Sequence, residues 1–124
     1  MLINEELTRE IIGGAIEVHK ELGPGLLESA YEECLCHELH LRGLKFQRQV
    51  SIPITYKQIK LDCGYRADVI VEGKVLIELK AVAEIIPVHE AQLPSYLKIT
   101  SIQIGLLLNF HVPVMKDGII RRAV

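Results

Sequence analysis

Apolar residues between Leu7 and Leu22 recur at intervals of three and four: Ile11, Ile12, Ala15, Ile16, Val18 and Leu22, with His19 on the same stripe. That spacing predicts an amphipathic helix. Gly13-Gly14 interrupts it at roughly 1 kcal/mol of helix propensity per glycine, and leaves space for a neighbour to approach closely. Gly23-Pro24-Gly25 ends the helix, with Gly23 placed to cap it. A second helix is expected from Leu26 to Arg42, with Leu27, Ala30, Tyr31, Cys34, Leu35 and Leu39 inward and Gly43 as its stop.

After Gly43 the period falls to two. Val50, Ile52, Ile54 and Tyr56 alternate with Ser51, Pro53, Thr55 and Lys57, a strand in which Pro53 marks an edge or bulge. A turn at Lys57-Gln58 leads to a strand over Ile59 to Cys63, and Tyr65–Val71 and Val75–Val82 pair about Glu72-Gly73-Lys74. Pro87 to Lys98 reads as helix, Ile102 to Phe110 as a buried strand, and Gly118 to Arg122 as a short edge strand. The order ααββββαβ(β) predicts an α/β (α+β) architecture, a mixed central sheet flanked by helices.

The 124 residues fit one domain over 1–124, and 49% apolar with 24% charged residues is ordinary globular usage, against disorder or collagen-like repeats. Polar residues and Pro113 break the greasy stretch from Ile102 to Met115, so no bilayer span is expected. The start, Met1-Leu2-Ile3-Asn4-Glu5-Glu6, lacks the pattern of a secretory signal. Cys34, Cys36 and Cys63 cannot all pair, and the first two face opposite sides of a helix; reduced thiols and a cytoplasmic setting are expected. Cys34, His37 and His40 lie at i, i+3 and i+6, but no second ligand pair stands at a structural-zinc spacing, which favours packing by Cys34 and solvated histidines. His19 reads as a satisfied core or boundary histidine, and His89 as flanking or capping its helix.

The net charge of −2 conceals an asymmetry. Residues 1–41 carry nine acids against Arg9 and Lys20, whereas residues 42–66 carry six basic residues against Asp62 alone. The basic segment suits either phosphate contacts or solvated strands; the global charge gives no strong nucleic-acid signal.

The most specific feature is the hairpin about Gly73. With Glu72-Gly73-Lys74 as its loop, Val69 faces Ile77, Val71 faces Val75 and Ile70 faces Leu76, so Asp68 falls opposite Glu78 and Arg66 opposite Lys80. Opposed carboxylates destabilise a sheet unless something neutralises them. A divalent cation would do so, and Lys80 shares the face. Paired acids with a lysine meet the needs of phosphodiester hydrolysis, in which a metal polarises phosphate and acidifies water. The other reading is a salt-bridged strand face, Asp68–Arg66 and Glu78–Lys80.

Asp68 followed after nine residues by Glu78-Leu79-Lys80 resembles the PD-(D/E)xK nuclease signature. Gly25-Leu26-Leu27-Glu28-Ser29-Ala30-Tyr31 is similar to the motif that names the GxxExxY protein family, a small branch of that superfamily. Leu22-Gly23-Pro24-Gly25, Gly64-Tyr65-Arg66-Ala67-Asp68, Ala91-Gln92 and Asn109-Phe110 extend the likeness along nearly the whole chain. The resemblance implies a restriction-endonuclease-like αβββαβ core. Asp68 and Glu78 would be metal carboxylates, Lys80 the catalytic lysine and Glu28 an additional acid from the first core helix, with Mg²⁺ or Mn²⁺ as cofactor. On a helical wheel Glu28 lies beside Tyr31 and Leu35; a solvated first-turn acid is its other reading. Tyr31 reads as a packed residue, with orientation of Glu28 by its hydroxyl as the other reading. Gln92 and Tyr96 are similar to the Q-x-x-x-Y motif of RecB-like members, although Pro94 between them puts their shared orientation in question. Ala67 stands where the signature often has proline.

The leading expectation is a metal-dependent nuclease acting on nucleic acid, DNA foremost, with Arg48, Lys57, Lys60 and Arg66 gripping the backbone. The alternative is a catalytically silent interaction module that keeps the nuclease fold. A homodimer or protein partner is expected in either case, and no membrane.

Overall fold

The computed structural model describes residues 4–62 and 64–124. Cys63, expected at a strand end and as a free thiol, lies outside the described residues, as do Met1, Leu2 and Ile3. The chain runs α1 (Glu5–Leu22), α2 (Glu28–Leu41), β1 (Phe46–Ser51), β2 (Ile54–Tyr56), β3 (Ile59–Leu61), β4 (Arg66–Val71), β5 (Val75–Lys80), α3 (Pro87–Thr100), β6 (Ile104–Asn109), a 3₁₀ turn (Met115–Gly118) and β7 (Ile119–Ala123). Five strands form a sheet in the order β1-β4-β5-β6-β7, and β2 and β3 make a separate hairpin. β5 and β6 are parallel, joined through α3, and the other pairs of the main sheet are antiparallel. The mixed α/β fold is consistent with a restriction-endonuclease-like architecture.

The expected hairpin register holds for Val69, Ile70 and Val71, which pair with Ile77, Leu76 and Val75, but the pairs expected beyond them, Asp68 with Glu78 and Arg66 with Lys80, are not part of the ladder. Its turn has positive φ at Glu72 and Gly73, the mirror-image geometry that matches strand twist. The strand expected from Val50 to Lys57 is in fact divided. Pro53 has no N–H for a ladder, and Ile52, fully buried, donates its N–H to the Tyr65 carbonyl between β1 and β2. β1 begins earlier, at Phe46, than the alternation indicates, because Gln47, Arg48 and Gln49 are exposed on an edge strand.

Two apolar clusters enclose the sheet. On one face α1 and α2 contribute Ile11, Ala15, Tyr31, Leu35 and Leu39, against Val69, Ile77, Leu79 and Leu106. On the other, Leu93 and Leu97 of α3 cover Ile70, Leu76 and Leu107. Gly13 and Gly14 do admit a close neighbour: a Cβ at Gly14 would lie 3.3 Å from Glu38 Cγ of α2, and one at Gly13 3.0 Å from Arg42 Nη1. The inward stripes are narrower than expected, since Ile16, Leu22 and Leu27 are exposed. His19 is satisfied, its Nε2 donating to the Val112 carbonyl at 2.7 Å, and His89 Nδ1 accepts the Ile86 N–H at the start of α3.

The loop between α1 and α2 explains one motif. Tyr31 stacks on Phe110, centroids 4.5 Å apart, and its hydroxyl donates to the Gly23 carbonyl at 2.6 Å while accepting the Leu26 N–H at 3.1 Å. Tyr31 therefore clamps the Gly23–Leu26 backbone, and both hydroxyl partners are main chain, in place of the expected contact with Glu28.

Candidate active site

The site lies where β4 and β5 part. Their ladder ends at Val69 and Ile77, and from there the Asp68 side chain takes a backbone partner itself: Oδ2 accepts the Leu79 N–H at 2.8 Å. Glu78, one residue earlier on β5, is 8% exposed and shares its face with Leu76 and the neighbouring Leu107 of β6. One of its oxygens, Oε1, is buried without a hydrogen-bond partner, an arrangement that is costly for an ionised carboxylate. Burial accordingly pushes the Glu78 carboxyl up to about 9; the charge of Asp68 adds to the rise and Lys80 opposes it. Asp68, Glu78 and Lys80 are thus electrostatically one group. Among the described residues neither acid forms a salt bridge, so the Asp68–Arg66 and Glu78–Lys80 pairing considered for this face is not the arrangement adopted.

Lys80 is half-buried at the end of β5, beside Asn109 of β6. Asn109 is buried and locks the chain beyond Lys80: its side chain donates to the Val82 carbonyl at 3.0 Å and accepts the Val82 N–H at 3.1 Å. The Phe110 N–H donates to the Lys80 carbonyl at 2.9 Å. The lysine's main chain is fixed from the neighbouring strand.

The helix side differs from expectation. Glu28 is exposed in the first turn of α2, and no group of three or more His, Cys, Asp or Glu among the described residues is placed to hold a metal. The expected trio Glu28, Asp68 and Glu78 is therefore not assembled. One turn later Glu32 is buried and reaches toward Asp68 through Gln49, whose Nε2 lies 2.8 Å from Glu32 Oε1 and 3.4 Å from Asp68 Oδ1. Gln49 takes a left-handed backbone, φ 50°, between the paired residues Arg48 and Val50. Sequence reasoning missed Glu32 and Gln49. The available signal was an acid on the inward stripe Glu32, Leu35, Cys36 and Leu39.

Arg48 is likewise committed within the protein. Its guanidinium donates to Glu32 Oε2 at 3.0 and 2.7 Å and to Glu33 Oε1 at 3.0 Å, contacts that raise its pKa, Glu33 foremost. It does not stand ready for a phosphate, contrary to expectation. Lys57, Lys60 and Arg66 are exposed, Lys57 with its ammonium 5.3 Å from the Tyr56 ring centroid. The i, i+3, i+6 zinc series is not assembled either: His37 and His40 are exposed, and Cys36, the buried thiol, is pushed up by burial to about 11.

α3 continues through Pro94 from Pro87 to Thr100, so Gln92 and Tyr96 keep one face and line the same groove. The Tyr96 hydroxyl is raised by burial, with the charges of Glu78, Tyr65 and Asp68 adding to the effect, which places it within electrostatic reach of both acids.

What the arrangement can do follows from its donors. Two hard carboxylates, one with an unsatisfied buried oxygen, suit a divalent cation with oxygen preference, and the adjacent ammonium suits an anionic substrate. Among the described residues no helix is long and apolar enough to cross a membrane. A family model described as the PD-(D/E)XK nuclease superfamily matches residues 5–122. No curated protein and no solved structure matches the chain.

Proposed function

The chain belongs to the PD-(D/E)XK nuclease superfamily, and from that premise we propose that it is a metal-dependent nuclease hydrolysing phosphodiester bonds in DNA, within the cytoplasm. Members of the superfamily generally use divalent metals. The observation that carries the reading is the buried, half-unsatisfied Glu78 carboxyl beside Asp68 and Lys80. In the proposed assignment Asp68 and Glu78 would hold Mg²⁺ or Mn²⁺. The bound ion would supply Lewis-acid polarisation of the phosphate and a lowered pKa for water. Glu78, whose carboxyl burial holds in the protonated form, would have to serve the ion as its carboxylate. The Lys80 ammonium positions the attacking water and offsets negative charge developing on the phosphate. Gln49 fixes the Asp68 carboxylate, while Gln92 and Tyr96 face the substrate from α3. Lys57, Lys60 and Arg66 contact the backbone, so binding weakens as salt rises. A homodimer would let two sites meet both strands of a duplex.

The test is incubation of purified protein with Mg²⁺ or Mn²⁺ and linear, nicked, branched and single-stranded substrates, in parallel with Lys80→Ala. Cleavage by the wild type alone supports the assignment; no cleavage of any substrate sinks it. The two-carboxylate set, joined by no third acid among the described residues, supports one other reading, a silent interaction module on the same fold. Calorimetric titration with Mn²⁺ separates the two: heat lost in Asp68→Asn supports the metal site, whereas no heat in the wild type supports the module.

A further inference from the structure

Three of the four tyrosines lie around one surface. Tyr65 precedes β4, is 44% exposed and stands 6.2 Å from Tyr96, centroid to centroid, with the rings tilted by 54°. Together with Ile54, Val88, Gln92 and Ile99 they line an open groove of about 270 Å³. Tyr56 follows two residues after Ile54, hence on the same face of the β2–β3 hairpin, and Ile59 and Leu61 pair with Tyr56 and Ile54 to extend that face; Tyr56, Ile59 and Leu61 are all exposed. The fourth tyrosine, Tyr31, and Phe110 are fully buried in the core. This aromatic surface lies on the sheet face that carries Glu78: Tyr96 packs against the cluster of Ala67, Leu76 and Leu107, and Leu107 is the β6 partner of Glu78.

The charge around this surface selects its occupant. Over residues 53–66 the hairpin and its flanks carry Lys57, Lys60 and Arg66 against Asp62 alone. All three cations are exposed; Lys57 already lies over the Tyr56 ring, whereas Lys60, paired with Thr55, is on the opposite face of the hairpin and adds only longer-range positive charge. Aromatic faces bordered by cations are what a single strand needs: bases stack on the rings and phosphates meet the ammonium groups, without sequence preference. A paired duplex hides its base faces and could use only the cations.

We infer that the groove between the β2–β3 hairpin and α3 is a binding site for single-stranded nucleic acid, in which Tyr65 and Tyr96 stack an unpaired base and lead the strand to Asp68, Glu78 and Lys80. The inference rests on the nuclease reading for the polymer it names, and makes the preferred substrate a single strand or a frayed end. Gln92, with both a donor and an acceptor on its amide, is placed on the groove wall to meet a base edge.

The experiment is fluorescence anisotropy with a labelled single-stranded oligonucleotide and its blunt duplex, in EDTA so that nothing is cut. Wild type, Tyr65→Ala and Tyr65→Phe are compared. The expected result is tighter binding of the single strand, weakened roughly 5- to 150-fold by Tyr65→Ala and restored by the ring of Tyr65→Phe. Equal affinity for both forms, or an unchanged Tyr65→Ala, overturns it. So does loss of a dimer on sedimentation of Tyr65→Ala with single-strand binding intact, which would make the face a contact between copies. Ring-dependent binding without cleavage under any metal would uphold the groove and remove the nuclease; cleavage with a silent Tyr65→Ala would do the reverse.

Discussion

Without a cation, Glu78 destabilises the folded protein at neutral pH by an amount that can be worked out. Its carboxyl titrates at about 9 in the folded chain against 4.5 for an unperturbed glutamate. Between those values the unfolded chain has released its proton while the folded one retains it, so stability falls as pH rises and is restored below 4.5. Each pH unit in that window corresponds to ~1.4 kcal/mol. At pH 7.5 the accumulated penalty is about 4 kcal/mol, a large part of the roughly 5–15 kcal/mol that holds a domain together. Glu78→Gln keeps the side-chain shape and abolishes the titration. In EDTA the variant should exceed the wild type by up to about 4 kcal/mol at pH 7.5, with the gap closing toward pH 4.5. Urea unfolding followed by circular dichroism across that pH range measures it, with the exposed Glu17→Gln as control. Saturating Mn²⁺ should raise the wild type at neutral pH, by about 2.7 kcal/mol at a hundredfold excess over Kd, and leave the variant unmoved. Parallel pH profiles for wild type and Glu78→Gln would refute the reasoning, because the burial of this acid would then carry no energetic consequence.

Other substitutions probe the remaining parts. Lys80→Ala should lower the cleavage rate roughly 10²- to 10³-fold while far-UV circular dichroism and the melting temperature stay close to wild type. Gln49→Ala should weaken Mn²⁺ binding about 10- to 100-fold by calorimetry, because Asp68 Oδ1 loses its amide contact and keeps only the Leu79 N–H on Oδ2, and Gln49→Asn, which tolerates the left-handed backbone, should recover part of the loss. Gly118→Ala should destabilise by about 2–3 kcal/mol in urea, since a Cβ there would overlap the Asn109 carbonyl oxygen and displace the strand end beside Lys80; a neutral result would mean that the 3₁₀ turn shifts freely.

The parts of the fold that could be read from sequence were those in which one physical rule acts alone. The β4–β5 register followed from the apolar matches of Val69 with Ile77 and Val71 with Val75, since a slip of one residue would scramble both. It carried Asp68 and Glu78 to the same place. The helix acid was harder, because the wheel admits Glu28 and Glu32 on adjacent turns and only tertiary packing chooses between them. The edge of the sheet was hardest. β1 shows little alternation, and Gln49, the residue that links Glu32 to Asp68, owes its position to a left-handed backbone that no periodicity reveals. Arg48 looked free because its partners, Glu32 and Glu33, stand about fifteen residues away on another element.

The position of Glu78 also separates the two functional readings. β5 is the middle strand of the five, paired on both sides, so the period of two fixes which face Glu78 occupies and the side chain cannot leave by a change of register. That face is closed by Leu93 and Leu97 of α3 over Leu76 and Leu107, each burial contributing roughly 1.5–3 kcal/mol. Such packing is strong enough to retain an acid in an unfavourable site but gives no reason for one to be there. An apolar residue of similar size would remove both the desolvation cost and the repulsion from Asp68. A module that served only as a scaffold would gain stability by that exchange, whereas a cation-binding centre would lose its ligand. The carboxyl at this position therefore argues for the metal site over the silent fold, and the measured effect of Glu78→Gln on stability, set beside its effect on Mn²⁺ binding, puts both sides of that exchange in the same units.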